Sequence, residues 1–300
     1  DWTSAERLRY TLDCAAVLAA LLPGGVDGSI STVPLGFKGF PQPAGHLRHC
    51  LGNLVQAAIA FDRLQQETGR LIRLAIEPEP FCLLETTDEV LRFFEQLWQE
   101  AAAQNRLEVA RRHLGLCYDV CHQAVEFEEI GPSIRSLTSA GVRLNKVHIT
   151  CALQLDSPAE NTEGRQALAR YVEERYLHQT MARGKSGNVL RQMDLTQALA
   201  LEPPADFRDC PAWRIHFHVP VDADQLGPLS TTRPELRQAL AAVALLNDAP
   251  HLEVETYTWE VLPDHSAEGG ANRLIDGLTR ELMATRALLQ ELSPKSGNAD

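Results

Sequence analysis

Residues 114–122 read LGLCYDVCH, a short apolar run that ends on polar side chains. The run Leu114–Asp119 predicts a buried strand, with Asp119 and His122 at its carboxyl end. Comparable runs recur at residues 28–33, 71–77, 144–150, 213–219 and 252–258, with helical patterns between them. Six strands separated by helices predict an α/β fold whose parallel sheet is built from βα units.

An open doubly wound sheet and a closed barrel both satisfy this alternation. The chain contains neither GxGxxG nor GxxxxGK[ST], the glycine-rich loops that would favour an open sheet. Polar side chains instead recur near the carboxyl ends of five runs, where a parallel barrel builds its site. Side chains alternate along a strand, so five pairs are expected to share the inner face: Ala75/Glu77, Cys117/Asp119, Lys146/His148, His216/His218 and Glu253/Glu255. The prediction is therefore a (β/α)8 TIM barrel.

These inward-facing carboxylates and imidazoles predict a metal site. Burying several carboxylates in one barrel mouth is costly unless a cation or mutual hydrogen bonding compensates them. Carboxylate oxygen with imidazole nitrogen suits Mn²⁺, Zn²⁺, Co²⁺ or Fe²⁺, and a carboxylate-rich set also admits Mg²⁺. The alternative is a purely structural polar network, and the metal site is favoured over it.

Composition narrows the function classes. The 300 residues carry 28 Lys and Arg against 40 Asp and Glu, a formal net charge of −12, which argues against binding nucleic acid through a basic face. No window approaches the ~18 consecutive apolar residues of a membrane span, which argues against an integral membrane protein. Seven cysteines without a CxxC pair suit reduced thiols in a cytoplasmic protein.

The arrangement of acidic and histidine residues resembles the xylose isomerase-like TIM barrels. The resemblance rests on a strand-end Glu77, on Asp119-Val120-Cys121-His122 as a DxxH motif, on His148 and on a late Glu255. It implies that Glu77, Asp119, His148 and Glu255 are the metal ligands, and that His122 lies beside substrate, as does His216 or His218. In the epimerase branch, glutamates at the positions of Glu77 and Glu255 also exchange protons with the substrate.

A more specific resemblance, over essentially the whole chain, is to the EboE-type metabolite traffic proteins of bacterial Ebo clusters. It rests on five strings: Ser31-Thr32-Val33-Pro34, Ile76-Glu77-Pro78-Glu79-Pro80, Asp119-Val120-Cys121-His122, His216-Phe217-His218-Val219-Pro220 and Glu253-Val254-Glu255-Thr256-Tyr257-Thr258-Trp259. These clusters are implicated in moving a scytonemin precursor out of the cytoplasm. The resemblance implies a small-molecule metabolite and other Ebo-cluster proteins, some of them membrane-bound, as partners.

A closed barrel needs eight strands, and the sequence pattern supplies six. We therefore expect about two βα units to precede this chain, so that residues 1–292 form a single partial barrel domain. A helical insert is predicted at about 158–200 and a polar tail at 293–300. The alternative is a six-stranded open or distorted barrel with two raw edges.

The first functional hypothesis is a metal-dependent isomerase- or epimerase-like enzyme acting on a small hydroxylated or carbonyl metabolite. Glu77, Glu255 and His122 are its predicted catalytic residues, and Glu79 and Arg233 are candidates for substrate binding with His216 and His218. The second is a carrier that holds a metabolite without turnover and without metal. An endonuclease IV-like nuclease is disfavoured, because the chain lacks the basic groove that phosphates require.

Two further features, a group of cysteines and a loop, are placed near the predicted site. Cys117, Cys121 and Cys151 lie near the predicted site, where they would serve soft-metal binding or redox control, but small core residues are the favoured interpretation. The loop Val33–Phe40, with Lys38 and flanking glycines, is a candidate lid.

Overall fold

A computed structural model describes residues 1–263 and 270–292 of the chain. The chain divides into two compact units. The first unit comprises residues 1–119, 135–147 and 250–252, and the second comprises residues 120–134, 148–249 and 253–300. The prediction of one domain over residues 1–292 stays a prediction.

Helices and strands alternate from the start of the chain. In order they are α1 (Ala5–Leu21), β1 (Gly28–Thr32), α2 (His46–Thr68), β2 (Ile72–Ile76), α3 (Thr87–Ala103), α4 (Leu107–His113), β3 (Leu114–Asp119), α5 (Val120–Val125), α6 (Ile130–Ser139) and β4 (Leu144–Ile149). The helix starts follow local capping chemistry. The Ser4 hydroxyl accepts a hydrogen bond from the Arg7 amide, and Thr86 with Glu89 forms a reciprocal capping box.

Strands β1, β2 and β3 confirm the predicted parallel α/β architecture. Strand β1 pairs in parallel with β2, and β2 pairs in parallel with β3. The sheet has the order β1-β2-β3-β4-β11, the last strand being His251–Val254. Apolar side chains of β2 and β3, such as Leu74, Ile76 and Leu116, are fully buried in the first unit. Closure into a barrel and the preceding βα units stay predictions.

The second unit holds a sheet that the sequence did not predict. Its elements after β4 are β5 (Cys151–Asp156), α7 (Thr162–Leu168), a 3-10 turn (Ala169–Tyr171), β6 (Thr180–Arg183), β7 (Val189–Gln192), α8 (Gln197–Leu201), α9 (Ala205–Arg208), β8 (Ala212–Val219), β9 (Gln225–Leu226), β10 (Leu229–Thr231), α10 (Arg233–Val243), β11 and α11 (Gly270–Leu292). The order of the second sheet is β7-β6-β8-β5-β10-β9, and each strand pairs antiparallel with its neighbours.

Three expectations are corrected. The predicted helical insert at 158–200 contains the antiparallel hairpin β6–β7, because two short strands flank a turn at Gly184–Asn188 in which Gly187 has φ +85°. Strand β8, expected in a parallel series, pairs antiparallel with β5 and β6. The strand predicted at 252–258 ends at Val254.

The predicted polar tail at 293–300 lies outside the described residues. Among the helices that are described, none combines the length and the apolar composition of a membrane-spanning segment.

Candidate metal-binding residues

The first unit brings two of the predicted carboxylate ligands together. Glu77 follows the last residue of β2, and Asp119 is the last residue of β3. Because β2 and β3 pair in parallel, both residues lie at the same end of adjacent strands. Carboxylate oxygens of the two side chains lie within 4.8 Å of each other, and Asp119 is fully buried. Two carboxylates this close concentrate negative charge, which favours binding of a cation.

The second unit brings the other two predicted ligands together. The side chain of His148, on β4, is buried, and its Nδ1 lies 3.1 Å from a carboxylate oxygen of Glu255. The Glu253 carboxylate lies 3.9 Å from His148 Nε2. The Glu255 amide donates to the carbonyl of Ile149 at 3.4 Å, which aligns this segment with the end of β4. This pair combines a nitrogen and an oxygen donor, a chemistry that suits divalent transition metals.

Three further imidazoles form a cluster within the second unit. The ring centroids of His122 and His216 are 4.6 Å apart, those of His122 and His218 are 5.7 Å apart, and those of His216 and His218 are 5.5 Å apart. All three residues are buried, at no more than 5% exposure. Buried imidazoles this close together offer several nitrogen donors to one cation.

Hydrogen bonds set the orientation of two of these rings. His216 Nδ1 lies 2.8 Å from the side-chain oxygen of Gln179, and His218 Nδ1 lies 2.7 Å from the backbone carbonyl of Glu255. Both partners are acceptors, so each Nδ1 donates its proton and each Nε2 carries the lone pair. Metal-ligating histidines in proteins are typically held by this kind of hydrogen bond.

Cys121 adds a sulfur donor to this cluster. Its Sγ and one ring nitrogen each of His216 and His218 lie within 4.8 Å of one another, and all three residues are buried. The Cys121 amide donates to the Thr150 hydroxyl at 2.8 Å, which positions the first turn of α5. The sequence favoured a packing role for this thiol. Its distance from the two imidazoles also makes it a candidate ligand for zinc, which binds sulfur and nitrogen donors.

The two predicted substrate-binding residues outside this cluster make other contacts. Glu79 lines a cavity of about 530 Å³ in the first unit, beside the loop of residues 33–43. The Arg233 guanidinium binds the Asp224 carboxylate at 2.8 Å and donates to the Val221 carbonyl at 3.0 Å. Among the described residues, Arg233 forms no hydrogen bond or ion pair with the three imidazoles.

Two residues of the second-unit site were missed by sequence reasoning. Gln179, which orients His216, follows no motif and lies just before β6. Tyr257, whose ring centroid lies 4.5 Å from that of His218, was quoted only as part of a string. Gln179 lies in no predicted strand, and Tyr257 lies in the predicted run 252–258 but carries neither a carboxylate nor an imidazole, the groups by which the other residues were found.

Comparison with known proteins gives a limited result. No protein-family model matches the chain, and no curated protein matches it. Among solved structures, one similar to this chain is a crystal structure of the IolI protein with a bound zinc atom. The two are 11% identical, the TM-score is 0.41, and the match covers 95% of this chain and 69% of that chain. A likeness this distant assigns neither a family nor an activity.

Proposed function

We propose that this chain is a metal-dependent sugar isomerase- or epimerase-like protein that acts on a small hydroxylated or carbonyl metabolite. The observation that carries the proposal is the pair His148 and Glu255, a buried imidazole nitrogen 3.1 Å from a carboxylate oxygen. The carboxylates of Glu77 and Asp119, within 4.8 Å of each other in the first unit, support it.

The ligands of the proposed divalent cation are Glu77, Asp119, His148 and Glu255. Three carboxylates and one imidazole fit Mn²⁺, Zn²⁺, Co²⁺ or Fe²⁺, and the oxygen-rich set also fits Mg²⁺. That all four residues share one ion stays a prediction from the sequence. When bound, the metal would act as a Lewis acid that polarises an oxygen of the substrate.

The chain's own groups supply the remaining chemistry of the proposal. Glu77 or Glu255 removes a proton from the carbon next to the substrate carbonyl, and another group returns it. The imidazoles of His122 and His216 stabilise the developing charge or relay the proton. His218 holds the substrate from the same cluster.

Metal analysis tests the ligand assignment. The purified chain, dialysed against Mn²⁺ or Zn²⁺ and then against buffer, is expected to retain metal in a stoichiometric amount. Glu77→Gln and His148→Ala each lose the whole amount if the four residues share one ion, whereas each loses only part if the two pairs bind separately. His49→Ala, which changes an exposed histidine, serves as the matched control. Retention of all metal by both ligand variants would overturn the assignment.

Proton exchange tests the activity. In D₂O, the metal-loaded chain is expected to wash deuterium into the carbon next to the carbonyl of a substrate from a panel of aldoses and ketoses. Glu255→Gln is expected to abolish the exchange. Binding of a panel member without deuterium incorporation would instead favour the second candidate, a non-catalytic carrier.

We propose a finer role as well: processing or holding a precursor for export, in the cytoplasm, alongside Ebo-cluster proteins that include membrane-bound ones. The five strings shared with EboE-type proteins support this role, and they also favour the carrier candidate. Co-purification of the tagged chain with membrane-bound Ebo proteins, lost when the cluster is deleted, is the expected result. An unchanged set of co-purified proteins after deletion would contradict it.

A further inference from the structure

The first unit contains a cavity that none of the predicted site residues lines. It has a volume of about 340 Å³ and lies beside the first turns of α2 and α3. Its walls are mostly apolar and include Leu35, Leu83, Leu84 and Phe93. Pockets of ~300–1,000 Å³ with apolar walls and a few polar groups are the usual sites for small molecules.

A buried histidine lines this cavity. His46, the first residue of α2, is only 5% exposed. Both of its ring nitrogens are buried, and neither has a hydrogen-bond partner among the residues that the structure describes. Folded proteins rarely leave buried polar groups unsatisfied, because such groups have lost their hydrogen bonds to water. A ligand that hydrogen-bonds to the imidazole would restore the missing partner.

The charges around the cavity favour a negatively charged group on that ligand. Arg92 lines it, and its guanidinium forms no ion pair within the described part of the chain. The Glu89 carboxylate also lines the cavity and accepts from the amides of Glu85 and Thr86 at 3.0 and 3.2 Å and from Lys38 at 2.7 Å, a lysine that it shares with Glu85.

The start of α2 adds to the positive potential at His46. The N-cap residue of this helix, Gly45, has no side chain that could accept from the amides of the first turn, of which the His46 amide donates to the Pro43 carbonyl at 3.0 Å. Those amides carry partial positive charge, which favours an anion at this position. Arg92 and this helix end therefore favour the same sign of charge on the ligand.

The loop that forms one wall is held in place before any ligand binds. The Gln42 side-chain amide donates to the carbonyls of Phe37 and Phe40, both at 3.0 Å. Leu35 is almost fully buried in the left-handed region, with φ +69°, a conformation that a leucine adopts only when its surroundings hold it there. The cavity wall is thus preorganised, which lowers the entropic cost of binding.

We propose that this cavity is a binding site for a small carboxylate with an apolar body, such as an aryl or short alkyl carboxylate. The apolar body packs against Leu35, Leu84 and Phe93. The carboxylate accepts a hydrogen bond from the His46 ring and pairs with Arg92. This site shares no residue with the proposed metal ligands, so it stands or falls independently of the proposed function.

Three probes of the same shape and different charge test the proposal: phenylacetate, 2-phenylethanol and 2-phenylethylamine. Binding is measured by calorimetry, together with the NMR shifts of the His46 ring protons. Phenylacetate is expected to bind and to shift those protons, the alcohol to bind more weakly and the amine to bind weakest. Equal binding of all three, or no binding of phenylacetate, would overturn the proposal.

Variants locate the binding. His46→Leu is expected to weaken phenylacetate binding about tenfold or more, whereas the exposed His49→Leu leaves it unchanged. Arg92→Gln is expected to remove the preference for phenylacetate over 2-phenylethanol, while Arg63→Gln, at an exposed position of α2, preserves it.

If His46→Leu fails to fold, Leu83→Trp replaces it, since the indole fills the cavity from a half-buried position and is expected to block binding. Unchanged phenylacetate binding in folded His46→Leu, or in Leu83→Trp, would contradict the assignment.

Discussion

Glu281 is a fully buried carboxylate on α11 whose hydrogen bonds connect three segments of the second unit. It accepts from the Val221 amide at 3.1 Å, from the Thr256 hydroxyl at 2.5 Å and from the Trp259 indole at 3.1 Å. Burial raises the pKa of Glu281 above its ordinary value, and the three hydrogen bonds oppose that rise. All three partners are donors, so the site requires a side chain that only accepts.

Replacing this carboxylate is expected to be costly even when the shape is kept. In Glu281→Gln the amide nitrogen meets a donor, so the free energy of unfolding is expected to fall by about 1–3 kcal/mol. Glu281→Leu leaves all three donors unsatisfied, so the free energy of unfolding is expected to fall further. Glu291→Gln on the same helix, whose exposed carboxylate pairs with Arg237, is the control and is expected to leave the free energy of unfolding nearly unchanged. Urea denaturation measures all three, and equal effects of Glu281→Gln and Glu291→Gln would contradict this account.

At the scale of elements, two helical glycines make opposite demands on their surroundings. Gly277 lies on α11 where an added Cβ would meet the ring of Trp259 at 2.4 Å. That ring is buried and is held by Glu281, so it has little freedom to move. Gly52 lies on α2 in the first unit, where an added Cβ would meet no atom within 4 Å. Close packing against Trp259 therefore requires a glycine at position 277. At position 52, only helix propensity decides between glycine and a larger residue.

The substitution of alanine at these two positions is expected to move stability in opposite directions. Gly52→Ala is expected to raise the free energy of unfolding by about 0.5–1 kcal/mol, because alanine is the better helix former. Gly277→Ala gains the same propensity, but overpacking against Trp259 costs about 1–3 kcal/mol, so a net loss is expected. Thermal unfolding of both variants checks the signs. A rise of the melting temperature in Gly277→Ala would show that the ring can give way.

At the scale of the whole molecule, two fully buried histidines make stability depend on pH. His113 Nδ1 donates to the Ile72 carbonyl at 2.7 Å in the first unit, and His178 stacks on Phe217 in the second. Burial lowers the pKa of His113 and the pKa of His178 below the ordinary value of 6.5, and nearby carboxylates oppose the shift. Both rings are therefore neutral in the folded state at a pH where the unfolded chain already binds protons.

The sign of the pH effect follows from this difference in proton binding. The stability that each neutral histidine contributes is fully present above the pKa of the unfolded chain, 6.5. It falls as the pH drops through that value, by at most about 1.4 kcal/mol per pH unit for each histidine. His113→Asn keeps a donor near the Ile72 carbonyl and is expected to flatten the slope, whereas the exposed His49→Asn leaves it unchanged. Denaturation midpoints across this range measure the slope. The pKa of Glu281 shifts in the opposite direction and adds its own pH dependence. The slope of each variant is therefore compared with the slope of the unaltered chain.

Five of the strands and most of the candidate ligands were predictable because their signal is local. Apolar alternation located β1 to β4 and β8 to within about two residues, and it identified Glu77, Asp119, His148 and His218 at strand ends. The hairpin β6–β7 was missed because its strands are four residues each, too short for a period to stand out. The His46 cavity was missed because a single histidine at a helix start forms no pattern.

Local patterns in the sequence located β1 to β4 and β8 and indicated which ions suit the carboxylates and imidazoles near their ends. The antiparallel pairing of β8 with β5 and β6 became visible only in the folded chain, because alternation looks the same in parallel and antiparallel strands. The same holds for the hydrogen bond between Gln179 and His216, and for the burial of both His46 ring nitrogens without a hydrogen-bond partner among the described residues. Such relations depend on packing between residues distant in the chain, and no local period encodes them.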